Sequence, residues 1–98
     1  MTCVYLLHFS RPLGRISHYL GQTSRPDVMT RVGEHRAGRG PSITRGAVRA
    51  GAELLLARVW EDADPGLERR LKRRGGYRRL CPVCGGLSAV AGSRKPRG

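Results

Sequence analysis

The sequence has few acidic residues, few aromatic residues, only three cysteines and no long apolar run. No apolar stretch approaches the roughly 18 to 20 residues that a membrane-spanning helix needs, so we predict no transmembrane helix. The first residues lead straight into an apolar segment with no basic flank or cleavage site, and we expect a soluble, cytoplasmic protein without a membrane partner. An odd number of cysteines without a secretory signal argues against a disulfide framework and favours reduced thiols or metal ligation.

Basic residues greatly outnumber acidic ones: 19 Lys and Arg stand against 7 Asp and Glu, giving a formal net charge of +12. Such a charge favours a polyanionic partner, and nucleic acid is the leading candidate, because each phosphate that is neutralised releases condensed counterions. Nearly all of these residues are Arg, with only Lys72 and Lys95 as exceptions, a bias that GC-rich coding also produces. The Arg side chain nevertheless suits bidentate phosphate contacts. The charge therefore supports a class of partner, not a reaction.

The chain is long enough for one compact domain and too short for two. We place that domain in residues 1–84. Strand-forming residues concentrate in segments 3–9, 16–23 and 54–60. The short connection of Arg, Pro and Gly between the first two segments favours an antiparallel hairpin.

Helix signals occupy the sequence between and after these strands. Pro26 should take the first position of the first helix, and Asp27 should lie in its first turn. Asp64 and Pro65 should cap and begin the last helix. The predicted helix limits are about 24–38, 43–51 and 64–76. Residues 85–98 are rich in Gly, Ala, Ser and basic residues, and we predict a mobile basic tail.

A scattered set of side chains could supply the chemistry of phosphodiester cleavage. That reaction needs an activated water, a cation to balance charge on the phosphate, and help for the departing alkoxide. Glu68 can bind a divalent metal, the Arg31 guanidinium can make bidentate hydrogen bonds to the phosphate oxygens, and a tyrosine hydroxyl can relay a proton. The candidate catalytic residues are Tyr5, Tyr19, Arg31, His35 and Glu68.

The order and types of these residues resemble the GIY-YIG endonuclease family. Residues 3–5 (Cys-Val-Tyr) stand where the family's first tripeptide belongs, and residues 19–21 (Tyr-Leu-Gly) where the second does. Arg31 occupies the place of the catalytic arginine, and His35 matches the His or Tyr found one turn later. Glu68 in the last helix matches the metal-binding glutamate. The resemblance covers about residues 3–84 and looks like a compact, single-domain bacterial branch of the family.

The resemblance implies a fold, a reaction and a set of roles. The fold would be α+β, with a three-stranded antiparallel sheet flanked by helices. The reaction would be hydrolysis of DNA with one divalent metal, Mg²⁺ or Mn²⁺, held by Glu68. Tyr5 would accept a proton from water with help from His35 or Tyr19, while Arg31 would stabilise the transition state.

Two departures from the family pattern are visible. Cys3 replaces the first glycine of the opening tripeptide, and the chain has no asparagine, so the family's late asparagine is missing. A nucleic-acid-binding module that keeps the scaffold and has weak or no turnover is therefore the alternative. A basic structural protein of a ribonucleoprotein is a third.

Several of these residues also have purely structural interpretations. Tyr5 and Tyr19 are typical strand aromatics, and Glu68 has a helical ion-pair partner four residues later in Lys72. His8 and His18 flank the two tyrosines and either line the site or pack.

Cys81 and Cys84 have the spacing of a zinc knuckle. A closed structural site needs four ligands, however, and no second cysteine pair follows. Cys3 could be a third ligand only if the C-terminal turn returns to the first strand. We rank Zn²⁺ at this pair below buried or capping thiols.

Overall fold

The computed structural model describes residues 2–24 and 27–84. In that part of the chain, no helix is both long and apolar enough to cross a bilayer. Two predictions, Pro26 as the first helical residue and the mobile tail at 85–98, lie outside the described residues. The elements are β1 (Cys3–Leu13), β2 (Ile16–Thr23), α1 (Val28–Arg36), α2 (Ser42–Arg49), β3 (Leu54–Trp60), α3 (Leu67–Arg74) and α4 (Tyr77–Leu80).

The three strands form one antiparallel sheet in the order β2-β1-β3, so the predicted α+β fold with a three-stranded antiparallel sheet flanked by helices is confirmed. The apolar first strand lies in the centre, where both of its edges are paired. β1 runs four residues further than predicted, through Pro12 to Leu13. Pro12 is tolerated because the pairing between β1 and β2 is irregular after His8, and the pairing to β3 ends at Phe9.

Alternation along β1 divides the core between the two faces of the sheet. Odd-numbered residues from Tyr5 to Phe9 pack against α1 and α2, whereas Val4 and Leu6 pack against α3 and the segment around α4. The first core also contains Val32, Ala47, Ala52 and Leu54. The second also contains Leu20, Leu71 and Cys81. The two faces therefore present different side chains of the same strands to different helices.

Helices α1 and α3 both begin later than the sequence predicts. Asp27 is the N-cap of α1 and accepts the Met29 amide at 3.0 Å, so it does not lie in the first turn. Asp64 accepts the Gly66 amide at 2.9 Å and pairs with Arg70 at 2.7 Å, which forms a turn before α3. In each case the Asp side chain accepts the amide two residues later, and the helix begins after the position predicted from the sequence.

Candidate active site and a His-Cys cluster

Four of the five predicted catalytic residues meet on the face of the sheet that α1 and α2 cover. The ring centroids of Tyr5 and Tyr19 are 6.4 Å apart, and the imidazole of His35 lies 5.7 Å from the first and 5.2 Å from the second. Arg31, one helical turn before His35, lies close enough to the Tyr5 hydroxyl to lower its pKa. The structure thus brings a guanidinium, two phenols and an imidazole together.

Gly21 makes room for the two phenols. It pairs directly with Tyr5 across β1 and β2, and a Cβ there would lie 2.6 Å from Cζ and Oη of Tyr5 and 2.8 Å from Cε2 of Tyr19. No real Cβ sits that close to ring atoms, and Tyr5 is only 1% exposed. The glycine of the second tripeptide is therefore required by close packing.

A continuous line of hydrogen bonds fixes the protons of this group. The Tyr5 hydroxyl lies 2.7 Å from Nε2 of His35, whose Nδ1 lies 2.9 Å from Oγ1 of Thr44. Thr44 in turn donates to the Pro41 carbonyl at 3.1 Å. Because a carbonyl only accepts and a hydroxyl has one proton, Thr44 must accept from Nδ1–H, which leaves Nε2 to accept from Tyr5. Each group except the last therefore donates its proton to the next, from Tyr5 through His35 and Thr44 to the Pro41 carbonyl.

Thr44 and Gly40 contact His35, which the sequence did not reveal. A Cβ at Gly40 would clash with Nδ1 of His35 and lie 2.5 Å from Oγ1 of Thr44. Thr44 is fully buried in α2. The contact of both residues with His35 depends on how α1 and α2 pack, and no local motif signals it.

Burial and Arg31 set the protonation states of the group. Burial is the main cause that raises the pKa of Tyr5, opposed by the nearby guanidinium of Arg31. Burial, assisted by the charge of Arg31, lowers the pKa of His35 to about 4. At neutral pH the phenol therefore holds its proton and the imidazole is neutral, so a donor and an empty acceptor face each other.

Glu68 is the fifth predicted residue, and it lies on α3. Its charge acts on the Tyr5 hydroxyl and helps to raise its pKa. Its carboxylate also lies 3.5 Å from Nζ of Lys72, the helical partner expected from the sequence, and its side chain is 27% exposed. A part-exposed carboxylate with one loose ion pair is free enough to bind a metal. Mg²⁺ needs only one or two carboxylates when waters and substrate phosphates complete its shell, so the residue fits that ion.

The low pKa of His35 makes a prediction about stability. The folded protein keeps His35 neutral down to about pH 4, whereas the unfolded chain protonates it below its ordinary value of 6.5. The unfolded state therefore binds the extra proton between these values, and stability should fall by about 3 kcal/mol as pH drops through this window. Urea unfolding at several pH values should show a shallower decline for His35→Gln than for wild type. Equal slopes would contradict the assignment.

His8 and His18 do not lie beside the tyrosines. They pair directly across β1 and β2 and project to the opposite face of the sheet, where they meet Cys81 and Cys84. One nitrogen or sulfur atom from each of the four residues lies within 4.8 Å of the others, a set that could bind a metal ion. Burial lowers the pKa of both imidazoles. The sequence showed the cysteine pair but not its histidine partners.

Comparison with known protein families, with curated proteins and with solved structures gave no match to this chain. The resemblance to GIY-YIG endonucleases therefore rests on the residue pattern of the sequence and stays a prediction. Any functional assignment has to be argued from the chemistry of the two side-chain groups.

Proposed function

We propose that this protein is a metal-dependent endonuclease that hydrolyses DNA phosphodiester bonds with Tyr5, Tyr19, Arg31, His35 and Glu68. The observation that carries the proposal is the line of hydrogen bonds from Tyr5 through His35 to Thr44, which begins beside the guanidinium of Arg31. It joins a phosphate-binding group to a proton acceptor through one phenol. Structural packing alone does not require a buried phenol with a guanidinium on one side and an unprotonated imidazole nitrogen on the other.

The phenol of Tyr5 transfers the proton in this mechanism. As its oxygen takes a proton from the attacking water, its own proton passes to Nε2 of His35, so that no free phenolate is needed. Thr44 keeps the imidazole in the tautomer that leaves Nε2 empty. Tyr19 packs against the His35 ring and holds it opposite the phenol. The groups are positioned before substrate binds, which lowers the entropic cost of the step.

Substrate binding makes His35 a better base. The charge of Arg31 contributes to the low pKa of His35, and a phosphate bound by the guanidinium would neutralise that charge. The basicity of Nε2 then rises only when DNA is in place. Arg31 also stabilises the negative charge that builds on the phosphate oxygens. Its ion pair with Glu34, 2.9 Å long, orients the guanidinium beforehand.

Glu68 is the residue that would hold the metal, with Mg²⁺ or Mn²⁺ as the candidates. When bound, the ion would supply positive charge for the phosphate and the departing alkoxide. The excess of basic over acidic residues gives the chain a formal charge of +12, which favours a DNA backbone as the partner and makes binding weaken with salt.

A nicking assay tests the proposal. Supercoiled plasmid and branched DNA are incubated with the protein, with and without Mg²⁺ or Mn²⁺. The metal is left out of the control reaction instead of being chelated. A chelator would also remove any ion bound by the His-Cys cluster, which consists of His8, His18, Cys81 and Cys84. We expect nicking that requires added metal and falls at least about 100-fold in Arg31→Ala and Glu68→Gln.

Matched control variants separate the loss of a catalytic side chain from the effect of changing the net charge. Glu61→Gln removes an exposed acid from a turn and Arg69→Ala removes an exposed base from α3, and both should keep nicking within about threefold of wild type, as surface changes usually do. DNA binding that persists when no preparation cuts would favour the non-catalytic module. Equal loss in the site variants and their controls would also count against the assigned site.

A further inference from the structure

We propose that His8, His18, Cys81 and Cys84 form a structural zinc site. The site goes beyond the proposed nuclease function and does not depend on it. Four of the five catalytic candidates lie on the other face of the sheet, against α1 and α2, and only Glu68 is on α3. Loss of one site and loss of the other can therefore be measured separately.

Four distances among the four ligand atoms match those of a tetrahedral zinc site, and all pairs lie within 4.8 Å. Zinc bonds of about 2.0–2.1 Å to nitrogen and 2.3 Å to sulfur place two nitrogens about 3.3 Å apart and a nitrogen and a sulfur about 3.5 Å apart. The nitrogens of His8 and His18 are 3.3 Å apart. Sγ of Cys81 and Sγ of Cys84 each lie 3.5 Å from Nδ1 of His8, and Sγ of Cys84 lies 3.3 Å from Nε2 of His18.

Hydrogen bonding does not explain this arrangement. Nδ1 of His8 lies within 3.5 Å of His18, Cys81 and Cys84 at once, whereas a neutral imidazole nitrogen donates or accepts one hydrogen bond. A thiol is at best a weak partner in such a bond. Four ligand atoms that all converge on one point, from groups that zinc prefers, indicate an ion at that point.

The local backbone prepares the ligands in pairs. His8 and His18 face each other in the register of β1 and β2. Cys81 and Cys84 lie in a tight turn in which the Cys84 amide donates to the Cys81 carbonyl at 3.2 Å, and their C-x-x-C spacing is common in structural zinc sites. Each pair holds two ligands rigidly, so an ion has only to join the pairs.

The C-terminal segment has a physical need for such an ion. α4 has four residues and buries none of them, and a helix that short has little stability of its own. Cys81, directly after it, is fully buried in the second core. An ion shared with β1 and β2 would fix this segment to the sheet. Since four protein ligands leave no position for a substrate, the role is structural.

Metal content and cobalt substitution test the site in the full chain. Protein made without a histidine tag is purified without chelators and reconstituted anaerobically with Zn²⁺. We expect about one zinc per chain by mass spectrometry, and a higher thermal midpoint for the zinc-loaded protein than for the stripped one. Co²⁺ should give thiolate charge-transfer absorption and the visible bands of a tetrahedral ion. Wild type that binds no stoichiometric zinc and shows no such bands overturns the proposal.

Variants identify the ligands. Cys84→Ser and His18→Gln should each lose the tetrahedral cobalt spectrum or shift it, with circular dichroism recording whether the sheet is still folded. Cys3→Ala is the matched control, because Cys3 belongs to the same strand as His8 but not to the cluster. It should keep the full spectrum and the zinc content. A spectrum that survives in Cys84→Ser and disappears in Cys3→Ala would assign the metal elsewhere and refute the site.

Discussion

Replacing Tyr5 by phenylalanine should reduce DNA nicking by about 100-fold to 10,000-fold. In the proposed mechanism the hydroxyl oxygen receives the water proton, and the hydroxyl passes its own proton to Nε2 of His35, 2.7 Å away. Phenylalanine keeps the ring that packs in the core and removes only this link. The buried Nε2 then has no donor, so the variant should also lose about 1–3 kcal/mol of stability. Single-turnover nicking and urea unfolding measure the two effects.

Tyr77→Phe is the matched control for that experiment. Tyr77 lies at the start of α4 and contacts the ring of His18 on the opposite face of the sheet. Losing its hydroxyl should leave nicking unchanged, because it has no part in the line of hydrogen bonds from Tyr5 to Thr44. If Tyr5→Phe nicked DNA at the wild-type rate, the phenol would be a packing residue and the proposed proton path would be wrong.

Gly21→Ala should strongly damage the proposed active site, because it adds a methyl group against both of its phenols. The new Cβ would lie 2.6 Å from the Tyr5 ring and 2.8 Å from that of Tyr19. Because Tyr5 is only 1% exposed, the phenol or the strand has to shift, which costs about 1–3 kcal/mol or more. Either shift lengthens the contact with His35, so nicking should fall by at least about tenfold even in preparations that remain folded.

Gly33→Ala provides the comparison. Gly33 lies in α1 between Arg31 and His35 of the proposed site, and a Cβ there meets nothing within 4 Å. Alanine is preferred over glycine in a helix by up to about 1 kcal/mol, so this variant should be slightly more stable and should retain nicking. Thermal melts and nicking rates of the pair decide the issue. A Gly21→Ala protein as stable and active as Gly33→Ala would show that the two phenols are not tightly constrained.

Much of the fold could be predicted because its signals are local. The runs of strand-forming residues set β2 and β3 at the limits that the structure gives, and alternation in β1 explains why Tyr5 packs on one face while His8 projects to the other. α4 could not be predicted, because four residues carry no apolar period. The early end assigned to β1 followed from Pro12, whose missing amide matters only where a neighbouring strand pairs with it.

The residues of the candidate active site could be predicted from the sequence only where the sequence near each residue indicated its position. The spacing of Arg31 and His35 on one helix was sufficient to place them together. Thr44 was not accessible, because its contact with His35 arises from packing between α1 and α2. Without Thr44 the direction of the hydrogen bonds could not be derived from the sequence.

The His-Cys cluster could not be predicted from the sequence, because the hairpin of β1 and β2 is irregular. Leu13 pairs with Ile16 at the turn, and regular continuation of that register would place His18 opposite Arg11. The structure has a register shift between His8 and Leu13, which brings His18 opposite His8 instead. A shift of this kind depends on the whole sheet. The sequence therefore indicated the two cysteines of the C-x-x-C turn as candidate ligands, but not His8 and His18.

The tautomer of His35 tests the central claim most directly, because the proposed proton path requires Nε2 to be empty and turned toward Tyr5. Long-range proton–nitrogen NMR spectra of the ¹⁵N-labelled protein report which ring nitrogen carries the proton. We predict a neutral imidazole with its proton on Nδ1 at every pH from 8 down to about 5, consistent with a pKa of about 4. A proton on Nε2, or a charged imidazole at pH 6.5, would contradict the account.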